Sequence, residues 1–147
     1  MAGAAAGAAA VWKVKGKSTD KYREYADKHL EILLMYNQWL LTKQEGKSIV
    51  SYFKEQGYKE IAVYGMSYVG ERLLDELKGS EVTVKYAIDR NADNIYADVD
   101  VVLPDGKLDK VDAVVVTANF YFDDIEKIMC EKVDCPILNL EDILYEI

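Results

Sequence analysis

Histidine occurs once and cysteine twice in these 147 residues, and that scarcity removes whole classes of chemistry. Cys130 and Cys135 are separated by four residues while His29 lies far upstream, so one chain cannot assemble a zinc quartet. The two cysteines read as reduced thiols rather than a disulfide framework. Positive charge is also short: 18 Lys and Arg stand against 26 Asp and Glu, a formal charge of -8 that repels nucleic acid and anionic lipid. No apolar run approaches the length of a membrane span, and the first residues lack the basic and large-apolar regions of a secretory signal. These absences point to a cytoplasmic protein without nucleic-acid or membrane partners and without a metal site. The length suits one domain of ordinary size with an extension, and leaves no room for a separate catalytic domain.

The run "MAGAAAGAAA" opens a low-complexity leader, residues 1–17, which is set aside from fold reasoning; the sequence does not say whether it is natural or added. A helical extension over residues 18–57 follows. From Ser18 to about Glu45 there is neither proline nor glycine until Gly46, and the stretch begins with capping residues, so one long helix is expected. Tyr22, Tyr25, His29, Leu33, Tyr36 and Leu40 recur at steps of three or four, with Ala26, Leu30, Leu34 and Leu41 beside them. Between Ile32 and Leu41 the apolar surface nearly encircles the helix. Such a helix either folds over its own domain or pairs with a second chain, and a homodimer burying Tyr25, Leu33, Tyr36 and Leu40 is the expectation. Ser48 and Gly57 then bracket a short helix with Ile49, Tyr52 and Phe53 facing inward.

From Tyr58 the rhythm changes. Ile61 to Tyr64, Val82 to Ile88, Ala113 to Thr117 and Ile137 to Asn139 are short apolar runs, with Val99 to Leu103 a weaker one, and helical segments lie between several of them. Alternation of this kind predicts an α/β fold: a Rossmann-like, doubly wound parallel sheet of about five strands over residues 58–147, preceded by the long N-terminal helix. Asn139 is placed to cap a closing helix that carries Ile143 and Leu144.

Ligands of such sheets bind beyond the carboxyl ends of the strands. There the chain reads "IAVYGMSYVGERLLDEL". Gly65, Ser67 and Gly70 occupy the places of the three glycines of the dinucleotide fingerprint, which serve the tight turn, the approach to pyrophosphate and the helix–strand contact. Ser67 puts a side chain at the middle place, though its hydroxyl can donate to a phosphate oxygen. The same turn fails as a P-loop, because Glu71 and Arg72 stand where lysine and serine or threonine are required. Glu71 also opposes an anion at the helix start. Asp89 ends the second strand about twenty residues on, where a carboxylate can accept from ribose hydroxyls and favours NAD over NADP; the alternative is an ordinary strand-end turn residue. Arg90 could pair with a 2′-phosphate or lie over a base. Thr117, Ala118 and Asn119 follow the fourth strand and border the same crevice.

"IAVYGMSYVGERLLDEL", "YAIDRN" and "VDAVVVTA" together resemble the small Rossmann-like domains of bacterial polysaccharide-biosynthesis proteins. That group includes the nucleotide-binding part of nucleotide-sugar epimerases and dehydratases, the front domain of some sugar acyltransferases, and CoA-binding or redox-sensor domains. The resemblance covers about Tyr58 to Ile147. It implies that Gly65, Ser67 and Gly70 meet a diphosphate and Asp89 a ribose, with an NAD or NADP cofactor, or a nucleotide-sugar, resting on the amides from Met66 through Ser67 and Tyr68 to Val69. The catalytic half of such enzymes is absent. None of the eleven tyrosines has lysine four residues later, as a Tyr-x-x-x-Lys proton relay requires. His29 has no neighbouring nucleophile, and Asp123, Asp124 and Glu126 sit at a helix start where acids complement the dipole. The expectation is an accessory nucleotide-binding domain without catalytic residues, able to inform a partner enzyme. A ligand-free interaction module and a half-site of an oxidoreductase or epimerase completed by another chain are the alternatives.

Overall fold

A computed structural model describes the backbone of residues 3–147, with side chains from residue 16 onward. The chain forms two compact units, Met1–Leu34 and Met35–Ile147. Helix α1 runs from Gly3 to Gln44. It begins upstream of Ser18, so the capping residues there lie inside the helix. The alanine-rich stretch before them has the highest intrinsic helix propensity and carries the turns onward. The side chains of residues 1–15 lie outside the described ones.

In the first unit Tyr22, Tyr25, Leu30, Leu33 and Leu34 are all exposed. His29 Nδ1 donates to the Tyr25 carbonyl at 2.7 Å, one helical turn back. In the second unit the buried face of α1 is made by Met35, Trp39 and Thr42, spaced four and three residues apart. Neither of the stripes expected from the sequence is the one that packs; of their members in this unit, Tyr36 is half-buried and Leu40 and Leu41 are exposed. Polar contacts fix that choice. Trp39 Nε1 donates to Glu76 at 3.3 Å, Lys43 pairs with the same carboxylate at 2.7 Å, and Gln38 donates to the Leu144 carbonyl at 3.0 Å.

Helix α2 (Ile49–Gln56) starts at Ser48, whose hydroxyl accepts from the Val50 amide, and ends at Gly57 in the left-handed conformation. Its Ile49 and Phe53 are fully buried and Tyr52 is half-buried. Then come β1 (Glu60–Tyr64), α3 (Tyr68–Leu77), β2 (Thr83–Ile88), β3 (Val101–Val102), β4 (Ala113–Val116), α4 (Phe122–Met129), β5 (Ile137–Asn139) and α5 (Leu140–Glu146). Short 3-10 turns fill Ala92–Asn94 and Asn119–Tyr121. Asn139 caps α5 by accepting from the Glu141 amide.

The five strands pair in parallel in the order β3-β2-β1-β4-β5, the doubly wound arrangement. The chain steps one way from β1 to β2 and the other way from β4 to β5. Right-handed crossovers then put α3 and α4 on opposite faces of the sheet. Ala62, Tyr64, Tyr86, Ile88, Val114 and Val116 face Ile125 and Met129 of α4 in one core cluster. The alternate residues Ile61, Val63, Ala87, Ala113 and Val115, buried just as fully, point to the other face. β1 and β4 are neighbours although two strands separate them in sequence, so their carboxyl ends form the topological switch point.

Two crossovers, β2 to β3 and β3 to β4, carry no α-helix. Between β2 and β3 the segment "DRNADNIYADVD" contributes only the turn Ala92–Asn94, too polar to bury a helix face. The sheet flank beside α3 is therefore covered by a loop.

Candidate functional site

Gly65 leaves β1 with φ of 100°, a conformation open to glycine and strained for other residues. A Cβ there would lie 2.8 Å from Thr117 Oγ1. The Thr117 hydroxyl donates to the Gly65 carbonyl at 2.6 Å, which ties the end of β4 to the turn. At Gly70 a Cβ would run into the Gly65 carbonyl oxygen. The first and third glycines thus do what the fingerprint asks of them: one makes the turn, the other lets α3 cross close over the strand end.

Ser67 stands at the N-cap of α3 with extended backbone, and its side chain makes no capping hydrogen bond. The amides that follow have no intrahelical acceptor, as at any helix start. Tyr68 is 80% exposed, while Val69 is buried. Glu71, in the first turn, pairs with Arg72 at 3.5 Å, and Arg72 also meets Asp75 at 3.0 Å. The opposing charge is thereby partly offset.

Asp89 is brought to this turn. Its Oδ2 accepts from the Met66 amide at 2.8 Å and its Oδ1 from the Asn91 amide at 2.8 Å. Of the four amides from Met66 to Val69 expected to meet a diphosphate, the first is therefore occupied by a protein carboxylate. An ionised carboxylate has about four lone-pair sites, so each oxygen of Asp89 keeps one acceptor position after these bonds. Half-buried and held from two sides, the carboxylate is fixed in orientation.

The other expected residues divide. Thr117 and Asn119 are buried and Ala118 half-buried; Thr117 turns to Gly65, and Asn119 Nδ2 donates to Glu141 at 3.4 Å. Their polarity holds the β4 loop in place. Arg90 is exposed and has no ion-pair partner among the described residues. No family model, curated protein or solved structure matches the chain. The site rests on its own geometry.

A groove of about 510 Å³ starts at Met66 and runs along α3 beneath the loop that replaces the missing crossover helix. Leu74, Lys78, Val84, Tyr96 and Val99 are among its walls. Lys78 and Asp98 bridge it at 2.7 Å; their hydrogen bond raises the lysine pKa and lowers that of the aspartate. No local signal in the amino acids marks this groove, because it arises where a crossover helix is lacking. Among the described residues no three His, Cys, Asp or Glu side chains converge as a metal cluster would, and no helix is long and apolar enough to cross a membrane.

Proposed function

We propose that the Met35–Ile147 unit is an accessory nucleotide-binding domain for a ligand that joins a diphosphate to a ribose, either an NAD-type dinucleotide or a nucleotide-sugar. The observation that carries the proposal is Asp89, locked by the Met66 and Asn91 amides beside a helix start that its own serine leaves uncapped. The two remaining acceptor positions of Asp89 suit the two vicinal hydroxyls of a ribose. The diphosphate then rests on the amides of Ser67, Tyr68 and Val69 and on the Ser67 hydroxyl, where the helix dipole favours an anion. A 2′-phosphate would face the Asp89 charge, which favours NAD over NADP. The resemblance of the turn and strand ends to polysaccharide-biosynthesis domains gives the setting: a cytoplasmic protein whose ligand reports cofactor or precursor supply to a partner enzyme. The chain acts as a homodimer through α1.

A thermal-shift series with NAD, NADP, UDP-sugars and CoA tests the ligand. A compound present at one hundred times its dissociation constant adds about 2.7 kcal/mol. For a chain of this size that raises the melting temperature by about 5–10 °C. NAD or a UDP-sugar is expected to do so, and NADP to do less. No shift with any compound overturns the ligand reading. It would leave the second reading, an interaction module, which the exposed leucines of α1 favour.

A further inference from the structure

The groove between α3 and the loop over residues 95–100 lies wholly within the second unit. Apart from Met66 at one end, it draws on none of the groups assigned to the nucleotide. Its volume of about 510 Å³ falls in the range of about 300–1,000 Å³ that small-molecule sites occupy. Leu74, Val84 and Val99 line it half-buried, and Leu77 and Val82 join them as buried members. Tyr96 lines it too while wholly exposed, so its ring is open to stacking on an occupant. Apolar wall therefore comes from three sides: α3, the start of β2 and the loop.

The charges around the groove narrow what it can hold. Glu71, Asp75 and Asp98 border it against Arg72 and Lys78. Both cations are already engaged, Lys78 with Asp98 at 2.7 Å and Arg72 with Asp75 at 3.0 Å and Glu71 at 3.5 Å. Carboxylates outnumber cations there in a chain whose formal charge is -8, so an anionic group entering the groove meets repulsion and, among the described residues, no unengaged cation on its walls. The Lys78–Asp98 bridge also selects by thickness. A partner helix, about 10–12 Å across, would have to swing the loop away and break that bridge, whereas a flat ring enters with the bridge in place.

We infer that this groove is a second small-molecule site, separate from the carboxyl-edge turn, for a flat apolar ring compound that carries no negative charge. It does not rest on the nucleotide reading, because phosphate is the kind of group its walls repel. Apolar surface supplies the affinity: Leu74, Val84 and Val99 complete their burial against the ring, and Tyr96 stacks on it. The layout of the chain makes the site possible, since a crossover helix between β2 and β3 would fill this flank of the sheet.

The test is a fluorescence titration of the full chain with N-phenylnaphthylamine, an uncharged dye, and with anilinonaphthalenesulfonate, the same ring system bearing a sulfonate. The expected result is one saturable site per chain for the uncharged dye, with the sulfonate weaker by about tenfold or more because its charge would enter the groove unpaired. Ala97→Trp, at an exposed position of the groove wall, should weaken the uncharged dye by about tenfold by filling its space while leaving the core untouched. Leu40→Asp, among the exposed leucines of α1, should leave dye affinity unchanged. Amide NMR supplies the second measurement, with shifts on adding the uncharged dye expected at Leu74, Val84 and Val99. Absence of saturable binding overturns the site, and so do amide shifts confined to residues outside the groove. Equal or tighter binding of the sulfonate overturns the ligand class. Affinity lost in Leu40→Asp but kept in Ala97→Trp places the dye on α1, and displacement by NAD places it in the carboxyl-edge turn; either result overturns a separate groove site.

Discussion

Helices α2 and α3 both begin at a serine with extended backbone, yet only one of those serines works as a cap. The Ser48 hydroxyl accepts from the Val50 amide at 3.1 Å, whereas the Ser67 hydroxyl accepts from no amide of its helix. The same contrast appears between two aspartates at opposite edges of the sheet. Asp112, at the amino edge, receives the Lys59 and Glu60 amides on one oxygen, both at 2.8 Å, and staples the start of β4 to β1. Asp89, at the carboxyl edge, spreads its two amides over both oxygens and stands beside the uncapped turn. Polar side chains at the amino edge and at α2 complete the fold's own hydrogen bonding. At the carboxyl edge Ser67 leaves the amides of its helix start uncapped, and Asp89 keeps one acceptor position on each oxygen, whereas Asp112 keeps both of its remaining positions on one oxygen.

The contrast can be broken or sharpened by substitution. The largest effect is expected at Gly70. A methyl group there meets the Gly65 carbonyl, and Gly70→Ala should lower stability by about 2–3 kcal/mol in denaturant unfolding, despite its gain in helix propensity. Next comes Asp89→Asn, which keeps shape but removes the charge. Hydrogen bonds to a charged group contribute about 1.5–3 kcal/mol, so NAD affinity measured by calorimetry should fall more than tenfold. Ser48→Ala should reduce stability by about 1 kcal/mol, the usual loss of a working cap. Ser67→Ala, at the equivalent position of α3, should change stability by only a few tenths of that while weakening ligand binding. Equal losses from the two serine substitutions would erase the distinction.

Asp112 gives the smallest effect and a pH signature. The Glu60 and Lys59 amides hold its carboxyl below the ordinary aspartate value. Its contribution is therefore present above the unfolded pKa of about 3.9 and is lost as pH falls through the lower folded value. Because the group is exposed, the amount is under about 1 kcal/mol. Asp112→Asn should flatten the loss of stability in acid below about pH 4 and leave ligand binding unchanged.

Much of this was legible in the amino acids. Strands buried on both faces read as apolar runs, and four of the five stand within a residue or so of where those runs lie. Gly57, Gly65 and Gly70 announced a helix end, a turn and a close crossing, the first two through a left-handed backbone that favours glycine and the third because a Cβ would meet the Gly65 carbonyl. The rest depends on which distant groups meet. Met66 and Asp89 are 23 residues apart, and nothing local says that the carboxylate will take the turn's first amide. The buried face of α1 was unreadable for a different reason. Apolar residues surround that helix, and its seat is chosen by Glu76 and Leu144, which lie in other elements. Thr117 and Asn119 look like ligand contacts in sequence because loop-bracing and ligand-binding use the same side chains.

The most direct test of the central claim is a backbone amide NMR titration with NAD. Shifts concentrated on Ser67, Tyr68 and Val69, lost in Asp89→Asn, are the predicted result. Saturating NAD that leaves those three amides unmoved, or perturbs only residues away from the carboxyl edge of the sheet, would contradict it.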